Sequence, residues 1–142
     1  MELDRERAAA LLTAFHDRLT AARRDGHSRF EEAFQNPPAG VGVHEIDVSY
    51  VVRKVNDEEL RILGYRREDM LGRSILDFIV MKEAANRAIQ QKLSGAKELK
   101  PFVRTFQRAD GSPVTLLLLD RHITDAQGQV AGIRTAMTRI SS

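Results

Sequence analysis

The chain has no cysteine, no tryptophan and only four prolines, and neither sign of charge dominates it. Without cysteine it has no disulfide framework, no thiolate nucleophile and no cysteine-ligated metal. The longest apolar segment, Val114 to Leu119, is interrupted by Thr115 and falls far short of the ~20 residues that a membrane-spanning helix needs. The first residues, Met1 to Arg7, carry charges of both signs with no h-region behind them, which is not a secretory signal. No membrane partner is expected, and the expected location is the cytoplasm. Twenty-two basic and 20 acidic residues leave a net charge of +2. Arg23-Arg24 and Arg66-Arg67 are isolated pairs rather than a basic tract, so nucleic-acid binding is not expected.

What is present reads as one domain: 142 residues, 42% hydrophobic and 30% charged, enough for a real core but short for two. From Asp4 to about Arg24 the apolar residues Ala8, Leu12, Phe15, Leu19 and Ala22 recur at spacings of four and three, one stripe of a helix. Asp4 and Glu6 near its start, Arg23 and Arg24 near its end and Gly26 beyond follow the helix dipole and the usual C-terminal cap. The stripe either packs on its own domain or meets the same helix of a second chain. Both hold if the helix is sandwiched between sheet and partner. Residues 1–28 are thus read as a flanking and dimerisation helix, and 29–142 as the main domain.

Arg29 to Gln35 reads as a short helix, stopped by Asn36-Pro37-Pro38-Ala39-Gly40. Val41 to Ile46 and Tyr50 to Val55 read as a hairpin. The stretch Val55 to Ile79 organises the chain: Asn56 or Asp57 opens a helical turn that Gly64 closes, and Glu68 to Leu71 make another that Gly72 closes. Helices this short bury little alone, so they must lie on a sheet. Val80 to about Ser94 is a further helix, with Gly95 as its stop. Leu99 to Arg108, Pro113 to Thr124 and Gln129 to about Ile140 read as three strands joined by tight turns. Leu116 to Leu119 place leucine on both faces of the middle strand, so both faces are buried. The leader helix is the expected lid for the second face. The class is α+β: an antiparallel sheet with helices grouped on one side and an N-terminal flanking helix.

In this order and spacing the chain, from about Phe30 to Ile140, resembles the PAS domain family. The likeness rests on Val55-Asn56 at the end of the second strand and on Leu63-Gly64-Tyr65-Arg66-Arg67-Glu68-Asp69-Met70-Leu71-Gly72-Arg73. It continues in Asp77-Phe78, the Arg108-Ala109-Asp110-Gly111-Ser112 hairpin and the Asp125-Gln127-Gly128 turn leading to Gly132. The resemblance implies a five-stranded sheet of order 2-1-5-4-3. It also implies a sensory and dimerisation module of the kind often joined to a histidine kinase, cyclase or transcription regulator, as in two-component systems. Some members hold haem, flavin or a small metabolite between sheet and helices. One departure is Arg139-Ile140-Ser141, where members often carry Asp-Ile-Thr before an output helix.

The flavin photosensors of the family need a cysteine for their covalent adduct, so that chemistry is excluded. A histidine-ligated haem is not expected, since Val80 to Ser94 contains no histidine, and Met81 there reads as packing. His16, His27, His44 and His122 have no partner at a metal-ligand spacing, so no metal is expected; His122 beside Asp120 reads as a polar pair or a solvated strand end. Glu58-Glu59 and Glu68-Asp69 read as solvated faces, because adjacent helical residues point apart. No enzyme motif is present. Any ligand pocket would be walled by Met81, Ala85, Ile89 and Leu93 from the helix. From the strands it would take Val55, Phe102, Phe106, Leu117 and Met137. Arg104 shares its strand face with Phe102 and Phe106, and an arginine turned inwards needs an anion. The expected function is a sensory module that dimerises through its leader helix, with or without a small ligand in its core; the alternative is a ligand-free interaction domain of a larger regulator.

Overall fold

The computed structural model describes residues 4–95 and 98–140. Helix α1, Arg5–Asp25, is capped by Asp4, whose carboxylate accepts from the Arg7 amide at 2.9 Å. It ends at Gly26, whose φ of 124° lets the chain turn sharply into α2, His27–Gln35. The second helix thus begins two residues before the expected start at Arg29. Strands β1, Gly42–Asp47, and β2, Val52–Val55, form the hairpin. Next come α3, Asp57–Leu63, α4, Arg67–Met70, a 3-10 turn at Ile75–Phe78, and α5, Lys82–Leu93. Strands β3, Phe102–Gln107, β4, Pro113–Thr124, and β5, Val130–Thr138, complete the chain.

The strands make one antiparallel sheet in the order β2-β1-β5-β4-β3. Its centre, β5, lies so close to β1 that a Cβ on Gly132 would sit 2.1 Å from the Ile46 carbonyl oxygen. Hence no side chain is tolerated there. Two apolar layers flank the sheet. The inner one packs Ile46, Leu116, Leu118, Ile133 and Met137 beneath α3, α4 and α5. The outer one packs Val43, Leu117, Leu119 and Ala136 beneath α1 and α2. The leucines of β4 are therefore buried on both sides, with α1 as the second lid.

Asn56 joins the layers. It is fully buried at the start of α3 and its Oδ1 accepts from the Glu59 and Val43 amides, both at 3.0 Å. Its Nδ2 donates to the carbonyls of Phe34 at 3.2 Å and Val41 at 3.4 Å. One amide side chain thus caps α3, closes the β1 end and holds the exit of α2.

Candidate functional site

The inner face carries a polar row in an apolar field. Across three neighbouring strands the register sets His44 opposite Thr135 and Thr135 opposite Asp120. Arg104 on β3 joins them around a small enclosed cavity of about 10 Å³ whose remaining wall includes Ile75, Ile89 and Phe106. That is room for about one water molecule.

Each polar group has a defined anchor. Asp120 Oδ2 accepts from Lys92 Nζ at 2.7 Å, and its Oδ1 accepts from the Thr135 hydroxyl at 2.6 Å. Lys92 and Asp120 are both buried, and the Lys92 ammonium also stands 3.5 Å from the centre of the Phe102 ring. The pair ties the last turn of α5 to β4. His122 adds a second tie, its Nε2–H donating to the Lys92 carbonyl at 2.7 Å. His44 Nδ1 donates to the two oxygens of Glu59 at 2.9 and 2.8 Å. Glu59 is fully buried. Helix α3 comes this near β1 because Gly42 has no side chain; a Cβ there would lie 2.7 Å from that of Glu59.

Arg104 is different. It is half-buried, its guanidinium lies 4.8 Å from the centre of the Phe102 ring, and burial lowers its pKa against the pull of Asp120. Both oxygens of Asp120 are engaged by Lys92 and Thr135. Besides the cavity, Arg104 lines a wider groove of about 390 Å³ between α5 and β3. Ala84, Ala85 and Ala88 form one wall of this groove, and Val103 and Thr105 the other.

On the outer face a second polar group sits under α1. His16 is buried and its Nε2–H donates to the Leu119 carbonyl at 2.8 Å, while its Nδ1 accepts from Arg134 Nε at 3.1 Å. Burial lowers the His16 pKa to about 4 and that of Arg134 to about 10. Glu45, paired with Arg23 at 3.0 Å, is pushed up by burial. Among the described residues no cluster of His, Asp and Glu is arranged to hold a metal ion, and no helix is long and apolar enough to cross a membrane.

The PAS-fold family profile matches residues 28–140. The chain belongs to the PAS family. Similar solved PAS domains agree in fold. One comes from an HTR-like protein of Haloarcula marismortui: 25% identity, TM-score 0.65, 87% of this chain and 99% of that one. Another is from a Colwellia psychrerythraea protein: 13% identity, TM-score 0.69, 80% and 95% covered. A third belongs to a LuxR-family transcriptional regulator of Burkholderia thailandensis, solved in complex with ethanol: 22% identity, TM-score 0.59, 75% and 94% covered. No curated protein matches the chain. PAS domains are generally sensor modules rather than enzymes.

Within this PAS domain the predicted wall residues do not share one place. Ile89, Arg104 and Phe106 line the cavity, and Met81, Ala85 and Arg104 the groove. Val55, Leu93, Phe102 and Met137 belong to the inner core without lining either. Leu117 does not belong to the wall: it is paired with Val103 and packs on the outer face beneath α1. Met81 is not core packing either, being 70% exposed at the mouth of the groove. Of the leader stripe, Ala8, Leu12, Phe15 and Leu19 are buried against the chain's own sheet and Ala22 packs half-buried beside them. Glu59 is not on a solvated face, because α3 lies flat on β1 and turns it to His44. His122 pairs with the α5 carbonyl rather than with Asp120. Sequence reasoning missed Lys92, Glu59 and Thr135. The one signal for them was a polar residue at an inward parity in an otherwise apolar strand or helix face. Arg139 is described and exposed, whereas Ser141 lies outside the described residues.

Proposed function

We propose that this PAS domain is a sensory module whose signal is a small molecule held between the inner sheet face and α5. The observation that carries the reading is the convergence of His44, Thr135, Asp120 and Arg104 beneath one helix. Polar groups buried in an apolar core are costly, and here they stand where a helix end can move against the sheet. The ethanol in the Burkholderia thailandensis PAS domain supports a small occupant for this fold. The route outwards is short. Thr135 faces Asp120 on the inner side, and its neighbour Arg134 faces His16 of α1 on the outer side. A ligand that shifts α5 and Asp120 would thereby bias the seating of α1. Residues 1–28 are the coupling helix in this reading, and 29–142 the sensing unit, acting in the cytoplasm.

Association of two copies is the remaining part. With four stripe residues committed to their own sheet, a homodimer would use the outward side of α1 and present the pair to an output partner such as a kinase, cyclase or transcription regulator. Light scattering on the full chain tests this, and a monomeric mass at about 0.1 mM would remove it. A ligand-free interaction domain is the second reading, favoured by how small the enclosed cavity is. Native mass spectrometry of freshly purified protein separates the two. A co-purified small molecule supports sensing, and a bare chain that no small molecule stabilises supports the interaction domain.

A further inference from the structure

We propose that Arg104 anchors an amphipathic monocarboxylate, with the carboxylate on its guanidinium and the apolar part along the alanine wall of α5. The proposal rests on the ligand-sensing reading and names the chemical class of its ligand. Three observations lead to it. The first is charge. Two cations, Lys92 and Arg104, approach the same Phe102 ring at 3.5 and 4.8 Å. The carboxylate that acts on both, Asp120, has its oxygens committed to Lys92 and Thr135 at 2.7 and 2.6 Å. Arg104 itself forms no ion pair within 4.0 Å among the described residues. A desolvated guanidinium without a carboxylate partner favours an incoming anion, and its planar fork suits a carboxylate.

The second is space. Arg104 lines both the enclosed cavity and the groove, so one residue borders the two spaces. The cavity, at about 10 Å³, cannot hold an organic acid, but the groove, at about 390 Å³, is of the size small ligands occupy. The third is the chemistry of the walls. Ala84, Ala85 and Ala88 leave room that larger side chains would fill, and Met81 at the mouth is flexible and exposed. None of these groups offers a second charge, so the apolar part of the ligand has nothing to pair but carbon. One acidic head and one apolar body fit this arrangement; a dicarboxylate would leave its second charge against alanine.

Calorimetric titration of the full chain with hexanoate and with hexanamide tests the assignment, since the two differ in the charged head group alone. Wild type should bind hexanoate about tenfold or more tightly than hexanamide. Arg104→Met should abolish that preference, and Ala88→Phe, which fills the groove, should weaken both probes. Equal binding of the two by wild type overturns the carboxylate assignment while leaving ligand sensing intact. So does a neutral co-purified molecule in the mass spectrum. A preference that survives in Arg104→Met or is untouched by Ala88→Phe places the anion elsewhere and overturns it as well. Failure of both probes to bind at about 10 mM also overturns it. Should Arg104→Met not fold, the wild-type preference and the Ala88→Phe variant decide.

Discussion

Acid should loosen the docking of α1, and His16→Gln should remove most of that loss. In the folded protein the neutral His16 ring satisfies both its nitrogens: Nε2–H donates to Leu119 and Nδ1 accepts from Arg134 Nε. A second proton would set an N–H against an N–H and a positive ring beside a positive guanidinium. Burial is the largest cause of the lowered pKa; Arg134 and Arg121 lower it further, while the Leu119 carbonyl and Asp120 pull it up. The net shift is from 6.5 to about 4. The sign follows directly. Below pH 6.5 the unfolded histidine takes up a proton that the folded one refuses until about pH 4. Stability is therefore fully present above that window and falls as pH drops through it. The shift corresponds to about 3 kcal/mol, a large share of the roughly 5–15 kcal/mol that a domain has in total.

Glu45, on the same face, works the other way. Burial raises its pKa, so the folded state holds its proton at a pH where the unfolded state has released it. Lowering pH through its folded value thus returns some stability. The comparison of wild type with His16→Gln cancels this, as both carry Glu45. Urea unfolding followed by far-UV circular dichroism, at pH values from about 7 to about 4, gives the gap between the two. That gap should narrow by about 3 kcal/mol towards acid. A gap that stays level or widens refutes the neutral, doubly bonded state assigned to His16.

Two further outcomes follow from buried polar groups. Lys92→Met strands Asp120 in the core and should cost about 3–5 kcal/mol, while adding Asp120→Leu should recover at least part of it; strictly additive losses in the double variant would contradict the ion pair. Asn56→Ala removes the α3 cap and leaves buried amides and carbonyls of three segments unpaired, so about 3–5 kcal/mol should be lost in urea titrations, and a loss below about 1 kcal/mol would mean that water replaces the amide.

Much of the fold was legible along the chain because its signals are local. The stripe from Ala8 to Leu19, the Asn56 cap and the leucines on both faces of β4 depend on periodicity and near neighbours. The site was less legible. Leu117 and Leu118 look alike in sequence, and the wall passes to Leu118 because the β3 register sets Phe102 opposite it. Arg104 shares parity with two phenylalanines, which left its direction open and said nothing of its partners.

The sequence by itself determined the elements, their order and the family, since Asn56, the turns and the apolar periods act over a few residues each. The tertiary structure alone decided that Glu59 meets His44, that Lys92 meets Asp120, and that the leader stripe is spent on its own sheet. The physical reason is distance along the chain. Charges 28 positions apart such as Lys92 and Asp120 are brought to hydrogen-bond range by strand register and helix placement, and no local propensity encodes that approach.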